Sequence, residues 1–415
     1  MSRRIKGAAI PVLMAAIAAP VAAQEVVRLP QRDQAMAGSL AQVFAVGKEE
    51  GEHYEVFSNV PSVAFDGNGS LYIVDRDDGR VLVFSKEGRF ARQIARQGEG
   101  PGELRIPMAV AVTSEGIVAV FDMANRALSL FDREGTYQSL ARLDPRYGMI
   151  QAPIRAGAGG GLLMAGSQVT MGGRGAPPAI RDSLPILLMT LGETAQTRPI
   201  FAAPSPAPRL AVSGGENTRE VRMTPPPTFS PAVSWSPMPD GRLAVASGTD
   251  WRIQIVGPNG AVTSVLERPI RARPVSERDR EAARATRREA LESGAGMVRV
   301  ENVNGRERMS VGGTGLPADQ VERMLASMEF AAVVPVIRGI RTDAEGRIWV
   351  QREGGPGATA HPIDILTSAG AYLGTLRGEA LPDAFGPGGL AAFITANDLG
   401  VQIVVVKRLP QGWRR

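Results

Sequence analysis

Residues 60–90 read VPSVAFDGNGSLYIVDRDDGRVLVFSKEGRF, and this stretch decides the fold. Val63-Ala64-Phe65 is a short strand and Asp66-Gly67-Asn68-Gly69 a tight turn. Leu71-Tyr72-Ile73-Val74 and Val81-Leu82-Val83-Phe84 form the next two strands. Lys86-Glu87-Gly88 turns the chain again into Phe90-Ala91-Arg92-Gln93-Ile94. β-branched and aromatic runs separated by Asn-Gly and Gly punctuation spell an antiparallel meander. A lone four-stranded sheet cannot bury both faces, so the unit must recur or find a partner.

It recurs. A shift of 47 residues lays the unit on Met108–Tyr137, matching Gly69 with Gly116, Asp75 with Asp122, Phe84 with Phe131 and Gly88 with Gly135. A shift of 172 lays it on Trp235–Val262, matching Gly69 with Gly241, Leu71 with Leu243 and Arg80 with Arg252. The pattern returns over Ile340–Leu373, and weaker units occupy Met149–Ile200 and Leu381–Leu409. The last unit lacks a strand, and Leu40–Val46 supplies one upstream of the first unit. Four strands per repeat at a period in the forties predict an all-β, six-bladed propeller closed by this N-terminal strand, with seven blades the rival count. Closure of this kind hides two sheet edges.

One segment breaks the meander, an insertion of about 276–330 between blades four and five. Ser276 and Asp279 resemble a capping box opening a helix to Ser293, and a second helix is expected over Ala318–Phe330. A hairpin, Met297–Val303 against Glu307–Val311, is expected between them. The first helix balances five acidic side chains with five arginines, which reads as a solvated surface or as a lid over one face of the ring.

Arg3, Arg4 and Lys6 precede an apolar run from Ala8 to Ala19 and then Val21-Ala22-Ala23. This order describes a secretory signal peptide over residues 1–23, cleaved after Ala23. The run is too short to span a bilayer, which takes about 20 residues. The expected location is therefore periplasmic or secreted, with residues 24–410 a single propeller domain and 411–415 a tail carrying Trp413. Ser2-Arg3-Arg4 also resembles a twin-arginine signal. Removing the peptide takes the formal net charge from +5 to about +2, and no basic stripe with interleaved aromatics is present, so nucleic acid is not an expected partner. With no cysteine, the chain has neither disulfides nor thiolate chemistry.

Leu71–Asp75, Gly79–Phe84 and Gly88 are similar to the NHL repeat, and Val118–Asp122, Asn125-Arg126 and Leu128–Phe131 repeat the likeness. The chain thus resembles exported bacterial six-bladed propellers with NHL-like repeats. That resemblance implies the fold and leaves the function to be argued from a site, because propellers of this shape include binding platforms, sensors, lactonases and lyases.

The candidate binding residues are Asp75, Arg80, Glu99, Glu103, Asp122, Asn125, Arg126, Asp250 and Arg252. Most of them stand at the strand ends and turns of the repeat. Their recurrence supports a scaffold role, with carboxylates accepting turn amides and arginines tying loops, beside the alternative of a polar ring on one face. In Gln97-Gly98-Glu99-Gly100-Pro101-Gly102-Glu103 the two carboxylates could hold a cation, although the alternating ligands of an EF-hand loop are missing. His53 and His361 are the two histidines, and neither stands beside a Gly-x-Ser-x-Gly elbow, which speaks against zinc and against a hydrolase triad. Trp235, Trp251 and Trp349 read as packing between blades.

The expected function is an exported, non-enzymatic, monomeric propeller binding a peptide, protein or small polar ligand on one face, with no catalytic residues assigned. The alternative is a calcium-dependent hydrolase or lactonase with carboxylates and amides on the central channel, to which Asp75, Asp122 and Asn125 could contribute. A third reading is an assembly partner in the cell envelope. No cofactor is expected, calcium being the one candidate ion.

Overall fold

The second and third strands of each repeat are apolar on both faces, because each sheet is packed between two others. Leu71–Asp75 and Arg80–Phe84 are buried along their whole length, whereas the outer strand Phe90–Ile94 alternates between exposed and covered positions. A computed structural model describes residues 24–413 apart from 143, 149, 171–178, 193, 214–219, 295–297, 304–305, 312–314, 356–357 and 359. The expected signal peptide, residues 1–23, and the Asn304-Gly305 turn lie outside the described residues.

The protein is a six-bladed β-propeller of four-stranded antiparallel blades. Blade one is Val63–Phe65, Leu71–Asp75, Arg80–Phe84 and Phe90–Ile94, in that order from the axis outward. Blade two starts at Pro107–Val112, blade three at Gln151–Ala156, blade four at Ser234–Pro237 and blade five at Ile337–Thr342. Blade six combines Ala384–Gly386, Leu390–Ala396 and Gln402–Arg408 with Ala41–Val46, which pairs antiparallel on the outside with Ala41 opposite Arg408. The expected N-terminal closing strand is therefore present.

Apolar clusters fill the seams between neighbouring blades. Leu71 and Ile73 pack with Leu390, Ala392 and Val404 of blade six, while Tyr72 and Val74 pack with Val110, Val118 and Val120 of blade two. Each such side chain contributes about 1.5–3 kcal/mol when removed from water, so the ring is held by its seams. Trp235, Trp251 and Trp349 are buried in these seams, and the Nε1 groups of Trp251 and Trp349 donate to Asp364 and Asp343.

Three features depart from the sequence reading. Blade four has a fifth strand, Glu25–Arg28, added parallel to Val262–Glu267. From there residues 29–40 cross blade five, where Thr375 N donates to Gln34 O at 2.7 Å and Met36 N to Thr375 O at 3.1 Å. The N-terminus is thus a belt over blades four, five and six. The second helix of the insertion stops at Ala326 rather than Phe330, since Phe330 turns away to bridge Thr228 of the chain leading into blade four. Trp413, expected in a loose tail, packs on Trp349 with its Nε1 donating to Ala37 O at 2.9 Å.

The insertion otherwise follows expectation. Helix α1, Glu277–Ser293, opens on a capping box between Ser276 and Asp279, and helix α2, Ala318–Ala326, packs Val321 and Leu325 against its Leu291. The hairpin is Val298–Val303 with Arg306–Val311. Among the described residues no helix is long and apolar enough to cross a membrane.

Candidate functional site

The recurrent acids are joints. Asp75 ends a strand with no exposure and accepts from Ser58 N at 3.0 Å, Ser58 Oγ at 2.5 Å, Asn59 N at 3.2 Å and Arg80 Nη2 at 2.8 Å. Asp122 does the same one blade on, accepting from Arg105 N, Ile106 N and Ala124 N and from Asn125 Nδ2 at 2.9 Å. In both blades the acid that ends the second strand fastens the segment leading into the first.

The other candidates are engaged in the same manner. Asp250 accepts from Ala272 N at 2.9 Å and pairs with Arg271, and Arg252 lies 3.6 Å from Glu267. Glu103 folds back on its own loop, accepting from Gly100 N at 2.9 Å and from Arg96 Nε at 2.8 Å. A Cβ on Gly98 would lie 2.0 Å from that carboxylate, so any other residue there would push the Glu103 side chain out of this position. Glu99 turns instead to Arg105 at 3.6 Å, and the two acids do not converge. Arg126 adopts φ +51° and lines a separate groove with Phe121, Arg142 and Met223. None of the nine lines the axial cavity.

That cavity encloses about 500 Å³ and is lined by the first strands and first turns of the blades, including Ala64, Ala111, Ser114, Gly159, Ser236, Pro239, Ala344 and Phe385. The first turns lie at the end of the ring opposite Asp75 and the connections between blades, which also carry the insertion. The lining has two charged groups of interest, Arg155 of blade three and Asp383 at the start of blade six. A third charge, Arg341 of blade five, acts on both.

Burial pushes the Arg155 guanidinium down to about 9, Arg341 acts in the same direction, and Asp383 opposes them. Arg341 is lowered by burial against the pull of Asp383. Burial holds the Asp383 carboxyl above the ordinary aspartate value, despite the Ile394 amide, Arg341 and Arg155. Both arginines remain cations at neutral pH. Their Nε atoms are buried with no hydrogen-bond partner among the described residues, and the Trp235 ring lies 5.9 Å from the Arg155 Cζ. Asp383 accepts one bond, from Ile394 N at 2.7 Å. Asp343, also in the lining, is already taken by Arg347 Nε at 2.6 Å and by Trp349.

Among the described residues no group of three or more His, Cys, Asp or Glu could hold a metal ion. His361 Nδ1 accepts from Gly354 N at 3.1 Å, and His53 stacks edge-on to Tyr54 and Phe90; neither stands in the cavity lining.

Comparison with known proteins agrees with this architecture. Residues 56–152 match the family model DUF5128, described as a 6-bladed beta-propeller. The chain is 29% identical over 102 residues to NHL repeat-containing protein 3 of Homo sapiens and 30% identical to its Mus musculus counterpart. Each match covers 23% of this chain and 29% of the relative's own length. Among solved structures, a protein of Bacteroides fragilis covers 93% of this chain and 100% of its own at 13% identity and a TM-score of 0.48. Regucalcin of Agrobacterium tumefaciens, described as calcium-binding, covers 92% and 97% at 14% identity and a TM-score of 0.38. At those TM-scores neither likeness carries an argument about activity. The chain is a propeller with NHL-like repeats.

Proposed function

We propose that the protein is an exported, non-catalytic propeller that holds a small polar ligand in its axial channel. One observation carries the reading: Arg155 and Asp383 line an open cavity, and the Nε of Arg155, like that of Arg341 close by, is buried without a hydrogen-bond partner among the described residues. A buried donor without an acceptor costs about 1–3 kcal/mol, more when charged, and a bound ligand removes that cost. On the opposite face Asp75, Asp122 and Asp250 already have protein partners, which makes peptide or protein docking through them the weaker reading. A calcium-dependent hydrolase needs converging carboxylates, and this cluster instead sets two arginines around one acid. Export rests on the signal sequence in residues 1–23.

The test is thermal unfolding of the mature chain against sugars, amino acids and organic acids, in the native protein and in Ala158→Trp, which narrows the channel mouth. Stabilisation by a ligand, lost in the variant, is expected. Stabilisation that survives the variant, or tight calorimetric binding of calcium in the channel, overturns the reading. Fractionation with N-terminal sequencing should find a mature protein starting at Gln24 outside the cytoplasm.

A further inference from the structure

At one repeat position the blades disagree. The pairing of first and second strands sets Ala64 opposite Tyr72, Ala111 opposite Ala119, Arg155 opposite Leu163, Ser236 opposite Ala244 and Arg341 opposite Trp349. These five residues are equivalent, on the strand closest to the axis, and two blades replace a small side chain with arginine. Neither arginine has the carboxylate that satisfies Arg80 or Arg347 elsewhere in the ring. The Arg155 side chain makes no hydrogen bond to a described residue, and that of Arg341 reaches only the carbonyl of its neighbour Ile340, through Nη1 at 3.0 Å. With Asp383 the cluster carries a net charge of +1. Both arginines are half-buried with their Nε atoms fully covered, and a partly desolvated cation without a counter-charge is unfavourable, so the free cluster is poised for an anion.

We propose that this cluster is the head-group site for a small hydroxy or amino acid. The ligand's carboxylate bonds Arg155 and Arg341, and Asp383 accepts a hydrogen from its hydroxyl or ammonium group. This rests on the channel reading above and narrows it to one ligand class. The carboxylate of a hydroxy acid brings the cluster to neutrality, that of an amino acid meets the arginines while its ammonium faces Asp383, and guanidinium groups match the planar oxygens of either. A phosphate dianion would instead leave a net negative charge beside Asp383. The Ile394 amide goes to Oδ2 of Asp383, and among the described residues no donor reaches its second oxygen. Beyond the charges the lining is apolar at Ile154, Met238 and Phe385, which suits a short hydrocarbon body.

The experiment is calorimetric titration of the mature full chain with lactate, alanine, acetate, inorganic phosphate and glucose. Lactate or alanine should bind, acetate should bind more weakly for want of a donor, and phosphate and glucose should not bind. Arg155→Met and Arg341→Met should each weaken binding by about tenfold to a hundredfold, the loss expected for a charge-assisted bond. Asp383→Asn should weaken alanine, whose ammonium loses its counter-charge, and should leave acetate as tight or tighter. Arg155→Met without ligand should unfold at the same or a higher urea concentration than the native chain, because it removes an unpaired buried charge. A lower midpoint for that variant makes the arginine a scaffold joint and overturns the proposal. Glucose binding alone, lost in Ala158→Trp, overturns the acid specificity while the channel reading stands, and so does a preference for phosphate. Calcium-dependent binding of any of these compounds overturns both.

Discussion

Asp75 and Arg155 are both charged groups inside the ring, and their surroundings are opposite. Asp75 is saturated by the amides of Ser58 and Asn59 and by Arg80, so its charge is fully used in holding the chain. Arg155 has an aromatic face and an Nε–H donor without an acceptor among the described residues. Truncating a partner of a buried pair costs about 3–5 kcal/mol because the other charge is left behind. Asp75→Ala should therefore lower stability by about 3 kcal/mol in urea unfolding, since the Ser58 and Asn59 amides lose their acceptor and Arg80 keeps only Asp78 and the Val56 carbonyl. The same experiment on Asp250→Ala, whose partner Arg271 is largely exposed, should lose less than about 1 kcal/mol beyond the amide bond. Equal losses at the two sites would remove the distinction between joint and surface contact.

The belt and the insertion are held to the ring by carboxylates. Asp33 lies 3.0 Å from Arg268 Nη2 and 2.8 Å from Arg352 Nη2, and Arg268 and Arg352 both reach the buried Asp364. Burial alone would raise the Asp33 carboxyl, but Arg352 and Arg268 overcome it and hold it below its ordinary value. Asp279, at the N-terminus of α1, is held well below the ordinary range by Arg273 and by Ser276 against the effect of burial. A depressed carboxyl contributes stability that is complete above its unfolded value and is lost as pH falls through the folded one. Acidification below the ordinary aspartate range should therefore expose the amides of the belt and of the first turn of α1 to hydrogen exchange before those of Leu71–Val74. Simultaneous exchange across the chain would show that these anchors are not the weak points.

Closure of the ring sets the behaviour of the whole molecule. Deleting residues 24–46 removes the strand paired with Gln402–Arg408 and uncovers an edge whose Val404 and Val406 sit in the seam with blade one. An uncovered edge is a template for pairing. The truncated chain should therefore elute as an oligomer in size-exclusion chromatography, whereas a monomeric elution would show that blade six is stable with three strands. The blades were legible because Asp75 and Asp122, with Gly69 and Gly116, repeat the same turn chemistry at the same spacing. The strand Glu25–Arg28 was not, because a four-residue parallel edge strand has no hairpin to announce it. Arg155 and Arg341 lie in plain view, but the role of that position emerges only when the register sets them beside Ala64 and Ala111. A charge standing where the better-preserved repeats carry alanine was the available signal.

The pairing of Ala41–Val46 with Gln402–Arg408 also fixes an order of events. The chain makes one half of its clasp first and the other half last, so the ring cannot shut during synthesis. Contacts this distant in sequence form slowly, and until they form five blades wait with one flank open. The interval between synthesis of Gln402–Arg408 and its capture of Ala41–Val46 is thus a period in which the ring is exposed to aggregation and to proteases.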